Sequence, residues 1–361
     1  MMMSSTVRTA VAAAATSAVA AVAAMATLRR HARRVALSIL PPRPGTPAPP
    51  QPPPLPPGQV MNLPGRGEVF IRDSGGESAR PAVLLLHGWT ASADLNFFSV
   101  YARLTESYRV IALDQRGHGR GLRSVDPFSL EACADDAAAL LERLGVGRVI
   151  VVGYSMGGPV GLLLARRHPE KVAALVLQAT ALEWRHTARE RAVWWLLPVM
   201  DLGLRFGVGV DFFGRVIHEA VGEDPEIGGY RPWLAAEFQR ATASDLVAAG
   251  RALSGYDARS WAGELVIPAA VLVTTRDRLV RSAKQHELAR VLRAQVFEID
   301  ADHDLPLAKG AEYARLTRLM VDTVAAPGGL ALPGTSGRHG RKAFHVPHPP
   351  AHRPRRRDDQ V

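Results

Sequence analysis

A succession of short apolar runs constrains this chain more than any other feature. "EVFIRDSG" (68–75), "AVLLLHG" (82–88), "YRVIALD" (108–114), "RVIVVG" (148–153), "VAALVLQ" (172–178), "PAAVLVTT" (268–275) and "AQVFEID" (294–300) each have the length and composition of a strand, most of them fully buried. Segments with helical spacing lie between them: 96–106, 130–145, 156–168, 281–293 and 307–324. Ser129 reads as an N-cap, Gly145 as a stop, and Pro169 closes the third segment. Apolar strands alternating with amphipathic helices predict an α/β fold, with a doubly wound, mostly parallel sheet covered on both faces. Ligands bind such sheets at the carboxyl ends of the strands. The residues able to do chemistry fall there: His87-Gly88-Trp89, Asp114, Ser155, Asp277 and His303 each follow a strand.

Ser155 stands in "VIVVGYSMGGPVG" (149–161), among glycines 153, 157, 158 and 161. The spacing fits G-x-S-x-G, a sharp strand-to-helix turn that lifts the serine oxygen clear of the sheet. Such a turn holds the serine in a strained backbone region, so its neighbours must be small. The helix that follows points its N-terminus at the site, which favours developing negative charge and makes the Met156 N–H one oxyanion donor. A serine at a strand end is also an ordinary helix cap. What separates the two readings is an acid and a base later in the chain, in the order Ser, Asp, His.

With these residues in view, 66–325 resembles the α/β-hydrolase family, in its serine-nucleophile, esterase- or lipase-like branch with a helical cap. "LLLHGWT" (84–90) resembles the oxyanion loop, "VIALDQRGHGRG" (110–121) the D-x-R-G-x-G segment, "VVGYSMGG" (151–158) the nucleophile elbow, "LVTTRDRLV" (272–280) the acid loop and "IDADHDLP" (299–306) the histidine loop. The resemblance implies Ser155 as nucleophile, His303 as base, Asp277 as its orienting acid, and the Trp89 and Met156 amides as the oxyanion hole. It implies no metal and no organic cofactor. Two positions depart from the family pattern. Asp302 precedes the histidine where glycine is frequent, and Gly121 stands where serine is frequent. Each proposed member has an ordinary alternative. His303 could be a solvated loop residue. Asp277 could pair with Arg276, Arg278 or Arg281, and Asp257, Asp300 and Asp302 are rival acids. His87 reads as structural, and His118 is given no role. A serine at the elbow argues against the epoxide hydrolases and haloalkane dehalogenases, which use aspartate there. Ester, thioester, amide or lactone hydrolysis is left, with cofactor-free haloperoxidase-like chemistry and a non-catalytic ligand-binding role as alternatives.

Between the strands ending near Gln178 and starting near Pro268 the chain is too long for a plain connection. Residues 180–262 are expected to form a helical cap. The apolar run 190–221 within it, through Trp194, Trp195 and Phe212, is expected to line a pocket for a hydrophobic ester. The competing reading is that Trp184, Trp194, Trp195 and Trp233 only pack the cap onto the core.

The net charge of +10 sits at the two ends. Residues 1–60 carry six arginines and no acid, and 326–361 sum to +5, so the middle sums to −1. That distribution argues against a nucleic-acid partner, whose binding surface belongs on the folded domain. Residues 1–40 include a charge-free, alanine-rich stretch (9–28) followed by Arg29, Arg30, Arg33 and Arg34. It reads as a membrane anchor holding the catalytic domain on the cytoplasmic side. A cleaved signal and a plain alanine-rich extension in a cytoplasmic protein are the open alternatives. Residues 41–58 form a proline-rich, stiff linker, with eleven prolines between 41 and 57. Residues 326–361 read as a disordered basic tail. The single cysteine, Cys133, permits no intrachain disulfide and reads as a small buried residue on a helix.

Overall fold

The computed structural model describes residues 51–76, 80–124, 126–185, 187–195, 229–238, 240 and 242–326. The proposed anchor, the first part of the linker, Phe212 with most of the apolar run around it, and the tail from 327 onward lie outside the described residues. Among the described residues no helix is long and apolar enough to cross a membrane.

Eight strands form one sheet in the order β1-β2-β4-β3-β5-β6-β7-β8. They are β1 (Gly58–Leu63), β2 (Gly67–Asp73), β3 (Val83–Leu86), β4 (Val110–Leu113), β5 (Val149–Tyr154), β6 (Val172–Gln178), β7 (Ala269–Thr274) and β8 (Gln295–Ile299). β1 pairs antiparallel with β2, and β2 with β4; every other pairing is parallel. The order reverses at β3, which lies between β4 and β5. The loops after β3 and β5 therefore diverge and leave a crevice at their carboxyl ends. Residues 58–65, expected to be linker and connection, instead contribute the edge strand β1.

The helices are α1 (Ala93–Phe97), α2 (Tyr101–Thr105), α3 (Leu130–Arg143), α4 (Gly157–Arg167), α5 (Ala188–Trp195), α6 (Arg231–Phe238), α7 (Ala243–Gly255), α8 (Ser282–Val291), α9 (Leu305–Ala308) and α10 (Gly310–Ala325). Two expected helices are each split in two. Residues 96–106 break between Phe97 and Tyr101, and the last helix breaks at Lys309, whose φ of −142° is not helical. Ser129 caps α3 as expected, accepting the Ala132 N–H at 3.0 Å.

Strand alternation divides the core into two layers. On β3, Leu84 and Leu86 join one layer and Val83 and Leu85 the other; on β5, Val149 and Val151 oppose Ile150 and Val152. The first layer packs under α3, α4 and α8, and takes in buried Cys133. The second packs under α2 and α10, through Tyr101, Leu104, Leu316, Met320 and Val321. Burying both faces explains why these strands read as continuous apolar runs.

Buried charge fixes the loops at the carboxyl edge. Asp114, fully buried after β4, accepts N–H groups from Ala93 and Arg120 at 2.8 Å each and the Arg120 Nε at 3.0 Å. Arg120 also reaches Asp94, which Arg72 grips with two bonds of 2.6 and 2.7 Å. Burial opposes ionisation of Asp94, but these two arginines hold its carboxyl below the usual range. The returning chain after β6 is tied to the same cluster. On α6, buried Glu237 accepts the Ser92 hydroxyl at 2.9 Å, pairs with Arg240 at 2.8 Å and lies 3.6 Å from Arg120. Trp233, beside it, packs edge-on against Phe98. Trp184 and Trp233 are both buried, as packing residues would be.

Candidate active site

The turn that carries Ser155 is built by close approach. Ser155 has φ +52°, in the left-handed region that side chains rarely adopt. Its N–H donates to the Gln178 carbonyl at 2.9 Å and its carbonyl accepts the Gly158 N–H at 2.9 Å, so the strain is held by neighbours on both sides. A Cβ on Gly157 would overlap the Leu86 carbonyl, and one on Gly153 would overlap the carbonyl of Gly157. Both glycines are required by space rather than by conformational freedom.

Three side chains from three strand ends meet here. The Ser155 hydroxyl lies 2.9 Å from His303 Nε2, and His303 Nδ1 lies 2.8 Å from Asp277 Oδ2. An ionised carboxylate only accepts, so Nδ1 carries the proton and Nε2 accepts from the serine hydroxyl. Asp277 has five donors in its shell, His303 among them. The N–H groups of Leu279 and Val280 reach Oδ1 at 2.9 and 2.7 Å, and Thr274 Oγ1 and Gln285 Nε2 reach Oδ2 at 2.8 and 3.2 Å; His303 completes the set. Burial raises the tendency of this carboxyl to protonate. The His303 bond and charge, with the Val280 and Thr274 bonds, outweigh it and hold the pKa below the usual carboxylate value.

The arginines around Asp277 are engaged elsewhere. Arg276 pairs with Asp300, Arg278 with Asp302, and Asp257 with Arg259. The rival acids are thereby occupied at the surface, and Asp277 alone turns inward. Asp302, the departure from glycine, cross-links two loops. Its Oδ1 accepts the N–H groups of both Arg278 and His303, at 2.9 and 2.8 Å. Tyr154 steadies the histidine loop from below, donating its hydroxyl to the His303 carbonyl at 2.7 Å.

The facing side of the crevice at Ser155 is formed by the loop after β3. Gly88 presses within 3.1 Å (from its notional Cβ) of the Ser155 Cβ, and its N–H donates to Asn96 Oδ1 at 2.6 Å. Among the described residues, the backbone N–H groups of Trp89 and Met156 have no acceptor within the chain. They are the unspent donors beside Ser155. His87 is structural: it accepts the Gln115 N–H on Nε2 at 2.9 Å and donates from Nδ1 to the Gly88 carbonyl at 2.8 Å. Burial lowers its pKa and keeps it neutral. His118 is fully buried, and burial with the nearby His87 brings its pKa down to about 3. Among the described residues, no cluster of three or more His, Cys, Asp or Glu side chains is arranged to hold a metal ion.

A cavity of about 250 Å³ opens above Ser155 and His303, lined by Trp89, Leu95, Tyr154, Phe238, Pro306 and Leu307 among others. A second, of about 280 Å³, lies beyond the acid loop and is lined by Trp184, Trp194, Leu279 and Val280, with Lys284 bonded to Glu183 and Glu190. Trp194 belongs to this second cavity. Its indole donates to the Trp184 carbonyl at 2.6 Å, and its ring stands 5.5 Å from that of Trp89. Trp195, expected to line the pocket, is 79% exposed and lines neither cavity. Successive helical residues diverge by about 100°, so α5 can turn only one of the two indoles inward. Sequence reading missed Asn96, Thr274, Gln285, Tyr154 and Asp302 as supporting residues. Only Asp302 carried a signal, as the departure from glycine.

Residues 81–197 match the family model described as alpha/beta hydrolase fold. A bifunctional esterase/perhydrolase from Acinetobacter calcoaceticus is 39% identical over 111 residues, covering 30% of this chain and 40% of that protein. A non-heme haloperoxidase from Rhodococcus erythropolis is 39% identical over 111 residues, covering 30% of this chain and 39% of that one. The matched stretch thus spans about two fifths of these relatives' length. The enol-lactonase structure from Burkholderia xenovorans superposes with a TM-score of 0.64 at 22% identity, covering 73% of this chain and 99% of its own. That likeness concerns the fold. Family model, sequence relatives and sheet topology agree on one architecture: the chain has the alpha/beta hydrolase fold, and its residues 81–197 match that family.

Proposed function

We propose that this chain is a serine hydrolase that cleaves a carboxylic ester, or thioester, of a hydrophobic small molecule through an acyl-enzyme. The observation that carries the proposal is the unbroken chain of hydrogen bonds from Ser155 through His303 to Asp277, at 2.9 and 2.8 Å. Ser155 Oγ attacks the substrate carbonyl as His303 Nε2 takes its proton. Asp277 holds the imidazole in the required tautomer and stabilises its cation. The Trp89 and Met156 N–H groups receive the developing oxyanion, an effect worth about 3 kcal/mol per donor in comparable sites. His303 then protonates the departing alcohol or thiol. Water, deprotonated by the same histidine, attacks the acyl-serine, releases the acid and returns the proton to Ser155.

The apolar lining at Leu95, Phe238, Pro306 and Leu307 supports a hydrophobic substrate. Residues 180–262 are assigned as its cap; from them Phe238 of α6 lines the cavity and the Leu246 carbonyl of α7 accepts the Trp89 indole N–H. The test is hydrolysis of p-nitrophenyl esters of increasing acyl length by the wild type, Ser155→Ala and His303→Ala. Loss in both variants, with folding retained, is expected; activity that survives Ser155→Ala sinks the proposal. The names of the relatives favour a second reading, perhydrolysis, in which hydrogen peroxide replaces water on the acyl-serine and a peracid leaves. Peracid formation from ester and peroxide, lost in Ser155→Ala, tests it. Residues 9–28 are assigned separately as a membrane tether. Fractionation of the full chain beside a chain lacking residues 1–58 tests that.

A further inference from the structure

The cavity over Ser155 holds one carboxylate that the proposed mechanism does not use. Asp304 follows His303 and lines the same cavity as Ser155. It is half-buried, and among the described residues no cation stands within ion-pair distance of it. The nearby charges are already committed. Arg278 is paired with Asp302 at 2.9 Å, and His303 with Asp277 at 2.8 Å. Among the described residues Asp304 is also the only acid in the lining; the rest of that lining is aromatic, aliphatic or neutral polar, apart from His303 itself. Three aromatic residues, Trp89, Tyr154 and Phe238, line the same cavity.

A half-buried carboxylate with no cation beside it costs stability, and its position at the start of α9 with a bond from its own backbone N–H supplies no counter-charge. Burial and the neighbouring Asp302 push its pKa upward, and its own backbone N–H with the His303 and Arg278 charges offsets them only in part. Aromatic faces beside a lone carboxylate are the combination that recognises an organic cation. The ring quadrupoles attract the ammonium at short range, and the carboxylate supplies the counter-charge.

We propose that Asp304 is a specificity-determining residue, and that the Ser155 cavity selects substrates carrying an alkylammonium group in place of carboxylate-bearing ones. This rests on the ester-hydrolase reading and narrows its substrate class. The cation comes to lie between Asp304 and the aromatic residues while the ester carbonyl faces Ser155.

Butyrylcholine and its uncharged isostere, 3,3-dimethylbutyl butyrate, differ by one charge at equal shape. The measurement is kcat/KM for each ester with the wild type and with Asp304→Asn, which keeps the side chain's size. The readout is the ratio of the two esters, so any general change in activity cancels. The wild type is expected to favour the cationic ester, and the ratio to fall about ten-fold in Asp304→Asn, equivalent to about 1.4 kcal/mol. An unchanged ratio, with both esters hydrolysed, overturns the proposal and leaves the hydrolase reading standing. A turnover-free arm uses Ser155→Ala, with calorimetric binding of choline and of 3,3-dimethylbutanol. Choline binding that weakens about ten-fold when Asp304→Asn is added supports the proposal even if neither ester is cleaved, and in that case only the hydrolase reading fails. Equal affinity for choline and the neutral alcohol, unaffected by Asp304→Asn, overturns it.

Discussion

Asp302 takes the backbone N–H of Arg278 at 2.9 Å on one carboxylate oxygen and the Arg278 Nε at 2.9 Å on the other. One residue thus ties the loop that carries Asp277 to the loop that carries His303. The two bonds are unequal in worth. The Arg278 side chain is 86% exposed, so its ion pair is screened and contributes little. The backbone bond, shared with the His303 N–H, sets the spacing of the loops.

Arg278→Ala should therefore change stability by less than about 0.5 kcal/mol and leave kcat nearly untouched. Asp302→Ala should lower kcat on the order of ten-fold through misplacement of His303, with KM little changed. Steady-state kinetics on both variants checks the contrast. Equal effects would show that the exposed pair, and not the backbone bond, does the positioning.

Removal of the serine or the histidine should cost three to six orders of magnitude in kcat, and Asp277→Asn about four. A fluorophosphonate probe should label the wild type quickly and Ser155→Ala not at all. Fast labelling of another residue in that variant would contradict the assignment.

The glycines at two turns should respond differently. Gly145 has φ +63° with open space around it, so Gly145→Ala should cost about 1 kcal/mol in urea unfolding and spare activity. Gly157→Ala drives a methyl group into the Leu86 carbonyl and should cost about 3 kcal/mol or more, with activity lost.

Arg120 faces two fully buried carboxylates, Asp94 and Asp114. Arg120→Met leaves Asp114 without its cation and should destabilise by about 3–5 kcal/mol. Urea unfolding of the wild type and the variant at pH 7 would measure the loss.

Two aspartates beside the histidine should act on stability with opposite pH dependence. The folded pKa of Asp277 is depressed, so its contribution is present above the unfolded value of about 3.9 and is lost as pH falls through the folded value. The destabilisation caused by Asp277→Asn should accordingly be full at pH 7 and fade below about pH 4. The folded pKa of Asp304 is raised, so its ionisation weakens the fold as pH rises through that value. Asp304→Asn should be more stable than wild type at pH 7, and the gain should vanish below about pH 4. A gain that persists in acid would assign it to packing and not to charge.

Much of this architecture was legible in the sequence because its signals are local. A buried strand reads as an apolar run, and Gly153, Ser155 and Gly157 mark the elbow because a tight turn admits few side chains. The order of Ser155, Asp277 and His303 adds a pattern that survives long separation. β1 was not legible: "GQVMNL" has no continuous apolar run, and its pairing with β2 leaves Val60 exposed at the sheet edge. Nor could the sequence say which acid each arginine takes around Asp277. Gln285 and Glu237 were invisible for the same reason. Their partners lie in other elements, and no short-range period records a contact made across the fold. Trp194 and Trp195 are chemically alike and adjacent, and only the orientation of α5 separates them.

The parallel seam between β6 and β7, where Leu175 pairs with Ala269 and Gln178 with Leu272, divides the chemistry as well as the sheet. The proposed nucleophile and oxyanion donors follow strands before it, and the proposed acid and base follow the two strands of one β-α-β unit after it. Cutting the chain between 195 and 229 would yield two halves, each with a coherent piece of sheet and neither with a working centre. Reassociation along this strand pairing, with α10 packing back onto β6 and α2, would then rebuild the proposed centre, which makes this molecule a natural candidate for a split-enzyme reporter of proximity.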